Sequence, residues 1–104
     1  MTKKRTTAAE RRHMEAVAGL GCIACLLDGN AGTPAEIHHP RAGAGLGQRA
    51  PHSDGIPLCS HHHRGTDHPR TPSIHMDKHA FIARYGSEAD LLNLTRDYLA
   101  RRAA

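Results

Sequence analysis

Two short segments, "LGCIACLL" and "PLCSHHHRG", carry residues whose types and spacing suit metal binding. Cys22-x2-Cys25 and Cys59-x2-His62 are chelating pairs separated by the 33 residues 26–58. Two intervening residues form a turn that sets both donors on one side, so each pair can grip the same tetrahedral ion. Thiolate and imidazole are borderline-soft donors suited to Zn²⁺ near neutral pH. A lone Cys-x2-Cys arises by chance or as a redox motif. Two such pairs in one short chain predict a structural zinc held by Cys22, Cys25, Cys59 and His62. His62 is chosen because it repeats the spacing of the first pair. If this stretch is helical, His61 and His63 project about 100° to either side of it. The three adjacent imidazoles are therefore expected to have different tasks. A further pair, His38-His39, stands in "EIHHP". Imidazole titrates close to physiological pH, so it can take a proton from water or, when neutral, hold a metal.

The rest of the chain explains why a metal is needed. The sequence has 104 residues and three aromatics, Phe81, Tyr85 and Tyr98, all after residue 80. The first eighty residues scatter Leu, Ile, Val and Ala among Gly, Pro, His and Arg, too little apolar bulk for a core without a staple. Three cysteines cannot all pair within one chain. No secretory leader is legible before them, so a cytoplasmic protein with reduced thiols is expected. "AVAGLGCIACLL" is too short and glycine-interrupted for a membrane span, which needs about twenty apolar residues.

Local signals place the elements. Residues 1–6 read as a flexible basic arm, and 7–104 as one domain. Thr7 to Glu10 has the capping-box pattern and opens a helix with Met14 and Val17 on one side, stopped near Gly19 and Gly21. "CIAC" reads as a tight turn and 26–34 as loop. "AEIHH" reads as a short strand ended by Pro40, 41–50 as a glycine-rich flexible loop, "GIPLC" as a second strand and "SHHHRG" as a brief helix. A helix capped by Ser73 is expected to bury Phe81, Ile82 and Tyr85 and to stop at Gly86. "SEAD" opens a last helix with Leu91, Leu94 and Tyr98 and, beside them, Leu92 and Leu99 on its apolar face.

The order Cys22-x2-Cys25, His38-His39, strand pair, Cys59-x2-His62-His63 resembles the HNH nuclease motif of the ββα-metal superfamily. The wider pattern "EIHHPRAGAGLGQRA…IPLCSHHHRG…IHMDKHAFIARYG…LL" is similar to the phage and prophage group related to Ref, a RecA-dependent nuclease, over roughly residues 20–95. The resemblance implies an α+β fold, a small zinc-stapled ββα core with flanking N- and C-terminal helices. It implies His39 as general base, His38 and His63 as ligands of an active-site ion, and His75 as a further ligand. Asp54 or Ser53 falls near the position of the family's central Asn. The implied activity is metal-dependent hydrolysis of DNA phosphodiester bonds, with a RecA-type recombinase filament as partner for some relatives. Such hydrolysis needs an activated water and positive charge on the phosphate and leaving oxygens. Mg²⁺ or Mn²⁺ is expected beside the structural Zn²⁺.

The net charge of +4 fits nucleic acid as partner, with Lys3, Lys4, Arg5, Arg11 and Arg12 at one end and Arg96, Arg101 and Arg102 at the other. Arg41, Arg49, Arg64 and Lys78 flank the proposed site and are candidates to hold phosphates. Asp67, four residues after His63, is a candidate to orient it. His13, His52, His61, His68 and His79 read as surface or hydrogen-bonded residues, although His75 and His79 have a chelating i, i+4 spacing. The alternative function is a non-catalytic zinc module that binds nucleic acid, which would leave His38, His39 and His63 without a task. A histidine-rich metal carrier fits poorly, because the spacing is ordered.

Overall fold

A computed structural model describes residues 6–40, 54–65 and 71–103. The elements run α1 (Ala8–Gly19), α2 (Ile23–Leu27), β1 (Glu36–His38), β2 (Ile56–Leu58), α3 (Ser60–Arg64), α4 (Lys78–Tyr85) and α5 (Glu88–Ala103). This is an α+β arrangement in which helices flank an antiparallel strand pair. Residues 1–5 of the expected arm, the glycine-rich loop, and Arg41, Arg49, His52, Ser53, Asp67 and His68 lie outside the described residues.

Helix α1 begins where the capping box places it. Thr7 Oγ1 accepts from the Glu10 amide at 3.0 Å, and Glu10 Oε1 accepts from the Thr7 amide at 2.8 Å. Two donors that the first turn would leave orphaned are thereby satisfied. β1 and β2 pair antiparallel, with Glu36 opposite Leu58, Ile37 opposite Pro57 and His38 opposite Ile56. Every residue of β2 is buried, because α2 and α5 both pack against this strand. The core joins Ile23 and Ala24 of α2, Ile56 and Leu58 of β2, Ile74 ahead of α4, Phe81 and Tyr85 of α4, and Leu91 of α5. Among the described residues, no helix is long and apolar enough to cross a membrane.

Two expectations are corrected here. "CIAC" is not a bare turn: Cys22 caps the one-turn helix α2. The helix expected from Ser73 starts later, at Lys78, with Asp77 in the cap position. Ser73 instead accepts from the Met76 amide at 3.1 Å and so folds 73–76 into a turn. His75 sits in this turn rather than on α4, so it shares no helix with His79 and their i, i+4 pairing does not arise.

The 73–76 turn is docked along α3 by backbone hydrogen bonds, Ile74 N to His62 O at 2.8 Å and His75 N to His63 O at 3.3 Å. Gly65 makes that approach feasible. It ends α3 with φ +72°, and an added Cβ would lie 2.9 Å from Ser73 Oγ and 3.0 Å from Met76 Cγ. Gly65→Ala is expected to lose about 1–2 kcal/mol from the left-handed backbone alone, and more from displacing the turn. Gly29→Ala, at φ +91° with no atom within 4 Å of the added Cβ, carries the backbone cost only. Chemical denaturation of both variants with metal saturating should show Gly65→Ala the less stable.

Candidate metal centres

The two chelating pairs are built the same way. Cys22 caps α2 and its Sγ accepts from the Cys25 amide at 3.4 Å; Cys59 caps α3 and its Sγ accepts from the His62 amide at 3.4 Å. In each, the first donor is the cap and the second lies in the first turn. A three-residue offset therefore puts both on one side of a helix start. The strand pair delivers α3 to α2. Gly21, at φ +80°, allows close approach of the 32–33 backbone, whose Thr33 carbonyl accepts from the Cys22 amide at 2.9 Å.

The result is a cluster of Cys22, Cys25, Cys59 and His62. Cys25 Sγ and Cys59 Sγ are 3.8 Å apart, and His62 Nδ1 lies 3.5, 3.4 and 3.2 Å from the sulfurs of Cys22, Cys25 and Cys59. With bonds of about 2.3 Å to sulfur and 2.0–2.1 Å to nitrogen, a tetrahedron has S···S edges of roughly 3.8 Å and S···N edges of roughly 3.5 Å. The donor set and its spacing fit one tetrahedral ion.

Behind His62 stands a hydrogen-bond relay. His62 Nε2 is 2.9 Å from Tyr85 Oη and 3.2 Å from Thr71 Oγ1. Tyr85 donates its hydroxyl to Asp28 Oδ2 at 2.6 Å and accepts from Arg84 Nε at 3.1 Å. Arg84 also donates to Asp28 at 3.0 Å. With Nε2–H donating into this relay, Nδ1 is left as the lone-pair nitrogen facing the sulfurs. Burial first, and then the bond to Asp28, push the Tyr85 hydroxyl up to about 12, so it stays a proton donor. Burial also lowers the basicity of His62, with His61 beside it acting in the same direction; the neutral form is the one a metal needs.

The second cluster gathers His38, His63 and His75, each offering a nitrogen within 4.8 Å of the others. Ring centroids are 5.1 Å apart for His38 and His63, 5.2 Å for His38 and His75, and 4.7 Å for His63 and His75. Three elements supply them: β1, α3 and the 73–76 turn. Strand alternation sets Glu36 and His38 on one face of β1, and both meet α3. Glu36 Oε1 is 2.7 Å from His63 Nδ1 and accepts from Arg64 Nε at 2.7 Å, while Oε2 accepts from Arg64 Nη2 at 3.1 Å. The bond to Arg64 chiefly, and that to His63, hold the Glu36 carboxyl below the usual carboxylate range. His38 Nε2 lies 2.7 Å from Glu88 Oε2. Burial lowers the basicity of His38, although Glu88 opposes the shift. A cavity of about 170 Å³, lined by His38, Ile74, His75, Lys78 and Glu88, opens beside this cluster.

The three histidines of α3 thus diverge. His61 Nε2 donates to the Thr71 carbonyl at 2.9 Å, His62 joins the cysteines, and His63 joins His38 and His75. His39 follows the end of β1, half-buried, and is not one of the three clustered imidazoles. Asp54 is paired with Arg96 at 2.7 Å. Of the candidate phosphate contacts, Arg64 sits on Glu36, and Lys78 Nζ lies 3.8 Å from Glu88 Oε1. Sequence reasoning missed Glu36, Glu88, Asp28 and the metal-side task of Tyr85. Glu36 stands two residues before His38, a period-two signal that was there to read. Glu88 and Asp28 had no local signal.

An antiparallel strand pair leading into a short helix, with imidazoles converging between them and a cysteine–histidine cluster alongside, is a ββα-metal-like architecture. Residues 6–100 match the family described as "Recombination enhancement, RecA-dependent nuclease", and the chain belongs to that family. No curated protein matches it at a significant level.

Two outcomes test the cysteine–histidine centre. Without metal, burial raises the thiols of Cys22, to about 12, and of Cys25. An ion must therefore displace protons from sulfur at pH 7. The unfolded, metal-free chain binds more protons than the loaded fold, so stability rises with pH below the ordinary thiol value of about 8.5 and falls on acidification. Calorimetry of metal uptake in buffers of different ionisation enthalpy should record the proton release. Tyr85→Phe, which removes the nearer of two acceptors for His62 Nε2–H, should weaken metal retention about 10–100-fold, read by competition with a chromogenic chelator.

Proposed function

We propose that this chain is a metal-dependent endonuclease of the HNH type, hydrolysing DNA phosphodiester bonds to 3′-hydroxyl and 5′-phosphate ends. The observation that carries the reading is the convergence of His38, His63 and His75 beside a separate cysteine–histidine cluster. In this reading Cys22, Cys25, Cys59 and His62 hold a structural Zn²⁺ that staples α2 to α3. His38, His63 and His75 hold one catalytic divalent cation, Mg²⁺ or Mn²⁺. That cation supplies positive charge to the phosphate and to the leaving 3′-oxygen when bound.

His39 is the general base. It follows His38 directly at the end of β1, so the strand that presents a ligand also presents the proton acceptor. Arg64 and Lys78 stand at the rim of the histidine cluster, each on a carboxylate, and contact the DNA backbone. Arg41 and Arg49 are assigned to the same task from the sequence alone. Phosphate contacts of this kind position a duplex or a strand without reading its bases. A RecA-type filament on DNA is the proposed partner, supported by the family to which the chain belongs, and a cytoplasmic site of action follows from that partner.

The test is cleavage of plasmid and single-stranded DNA, with and without a RecA filament, in Mg²⁺ or Mn²⁺ and with zinc retained. Wild type should cut. His39→Ala should lose about 10²–10⁴-fold in rate, the usual contribution of a general base, while keeping its zinc content and circular dichroism. If wild type binds DNA and cuts under none of these conditions, the catalytic reading fails and a non-catalytic zinc module takes its place.

A further inference from the structure

Glu88 is a carboxylate placed where carboxylates are costly. It is 5% exposed, and its partner His38 is 3% exposed. A buried charge persists only where a specific partner compensates it. Glu88 opens α5, yet the helix start does not need it as a cap. Ser87 Oγ already accepts from the Asp90 amide, and Asp90 Oδ2 from the Ser87 amide, both at 3.1 Å. The Glu88 side chain turns inward across 50 residues of sequence, to within 2.7 Å of His38 Nε2. Lys78 Nζ stands 3.8 Å from its other oxygen, and the pair borders the cavity beside the histidine cluster.

A carboxylate has only acceptors to offer, so the His38 nitrogen it meets must carry the proton. The lone pair of neutral His38 is then on Nδ1. Glu36 imposes the complementary choice on His63, holding Nδ1 at 2.7 Å and leaving Nε2 free to donate a lone pair. A ligating imidazole gains fixed orientation and basicity from a partner on its far nitrogen. We propose that Glu88 is a positioning residue for the histidine cluster, fixing His38 as the Nε2–H tautomer with Nδ1 as the donor nitrogen. This rests on the metal-binding part of the function proposed above and extends it to a residue on α5.

The substitution that isolates the effect is Glu88→Gln. An amide can accept from Nε2–H or donate to bare Nε2, so it no longer dictates which nitrogen holds the proton. Full-length protein with zinc in the cysteine–histidine centre would be titrated with Mn²⁺ by calorimetry. The His38 tautomer would be read from its ¹⁵N shifts before Mn²⁺ is added. Wild type should show Nε2–H alone. Glu88→Gln should show both tautomers and bind Mn²⁺ about 10–100-fold more weakly, with an unchanged melting temperature. If Glu88→Gln does not fold, Glu88→Asp keeps the charge and withdraws it by one methylene, and the same two readouts apply. An unchanged tautomer together with Mn²⁺ affinity within twofold of wild type overturns the proposal. If wild type shows the single tautomer yet binds no Mn²⁺, the metal-dependent reading fails, and the positioning proposal, which rests on it, falls with it. Mn²⁺ binding by wild type with no response to Glu88 sinks the positioning claim alone.

Discussion

Three sulfurs and one imidazole nitrogen are drawn to within 4.8 Å of one another from opposite ends of a 33-residue excursion, 26–58. Side chains that close do not hold together by themselves. Buried thiols resist ionisation, and closing so long a loop costs chain entropy. A tetrahedral ion reverses both terms, because it takes the thiolate form and fixes the ends of the loop in one step. The strand pair lies inside this loop and has only three residues on each side. Such a pair is marginal by itself. Closing the loop sets α2 and α3 side by side, and the buried face of β2 then has something to rest on.

From that staple the second cluster follows with little further freedom. α3 is five residues long, and the angular step of an α-helix sends successive side chains in different directions. Holding His62 against the cysteines therefore aims His61 and His63 as well. His61 reaches the Thr71 carbonyl at 2.9 Å. His63 reaches the face of β1 that carries Glu36 and His38. The third imidazole arrives with the 73–76 turn, hydrogen-bonded to α3 through the carbonyls of His62 and His63. Two of the three imidazoles thus belong to one hydrogen-bonded unit, and the third comes from the strand beside it.

What was legible in the sequence was local. The capping box at Thr7, the strands at 36–38 and 56–58, the brief helix of the histidine triplet and the stop at Gly86 all depend on neighbours a few residues away, and all are present in the fold. The late start of α4 was not legible, because Ser73 serves a turn as readily as a helix, and only the docking of Gly65 against it decides between them. The four residues that make each pair of donors chelate are readable because helix starts repeat. The carboxylate behind His38 is not, since Glu88 and His38 meet only after α5 has packed on β2. His38 and His63 were expected together from the resemblance; that each has its own carboxylate came from tertiary packing.

A single peptide bond joins His62 of one centre to His63 of the other. Ordering the backbone of one residue also orders that of the next, so an ion bound in either cluster would help to set the geometry of the other. Linkage is reciprocal: whatever factor an ion among the cysteines adds to affinity at the histidines, an ion at the histidines returns to the cysteines. The cysteine–histidine and histidine clusters would then fill as a coupled pair. Scarcity of one metal would then be felt at both clusters.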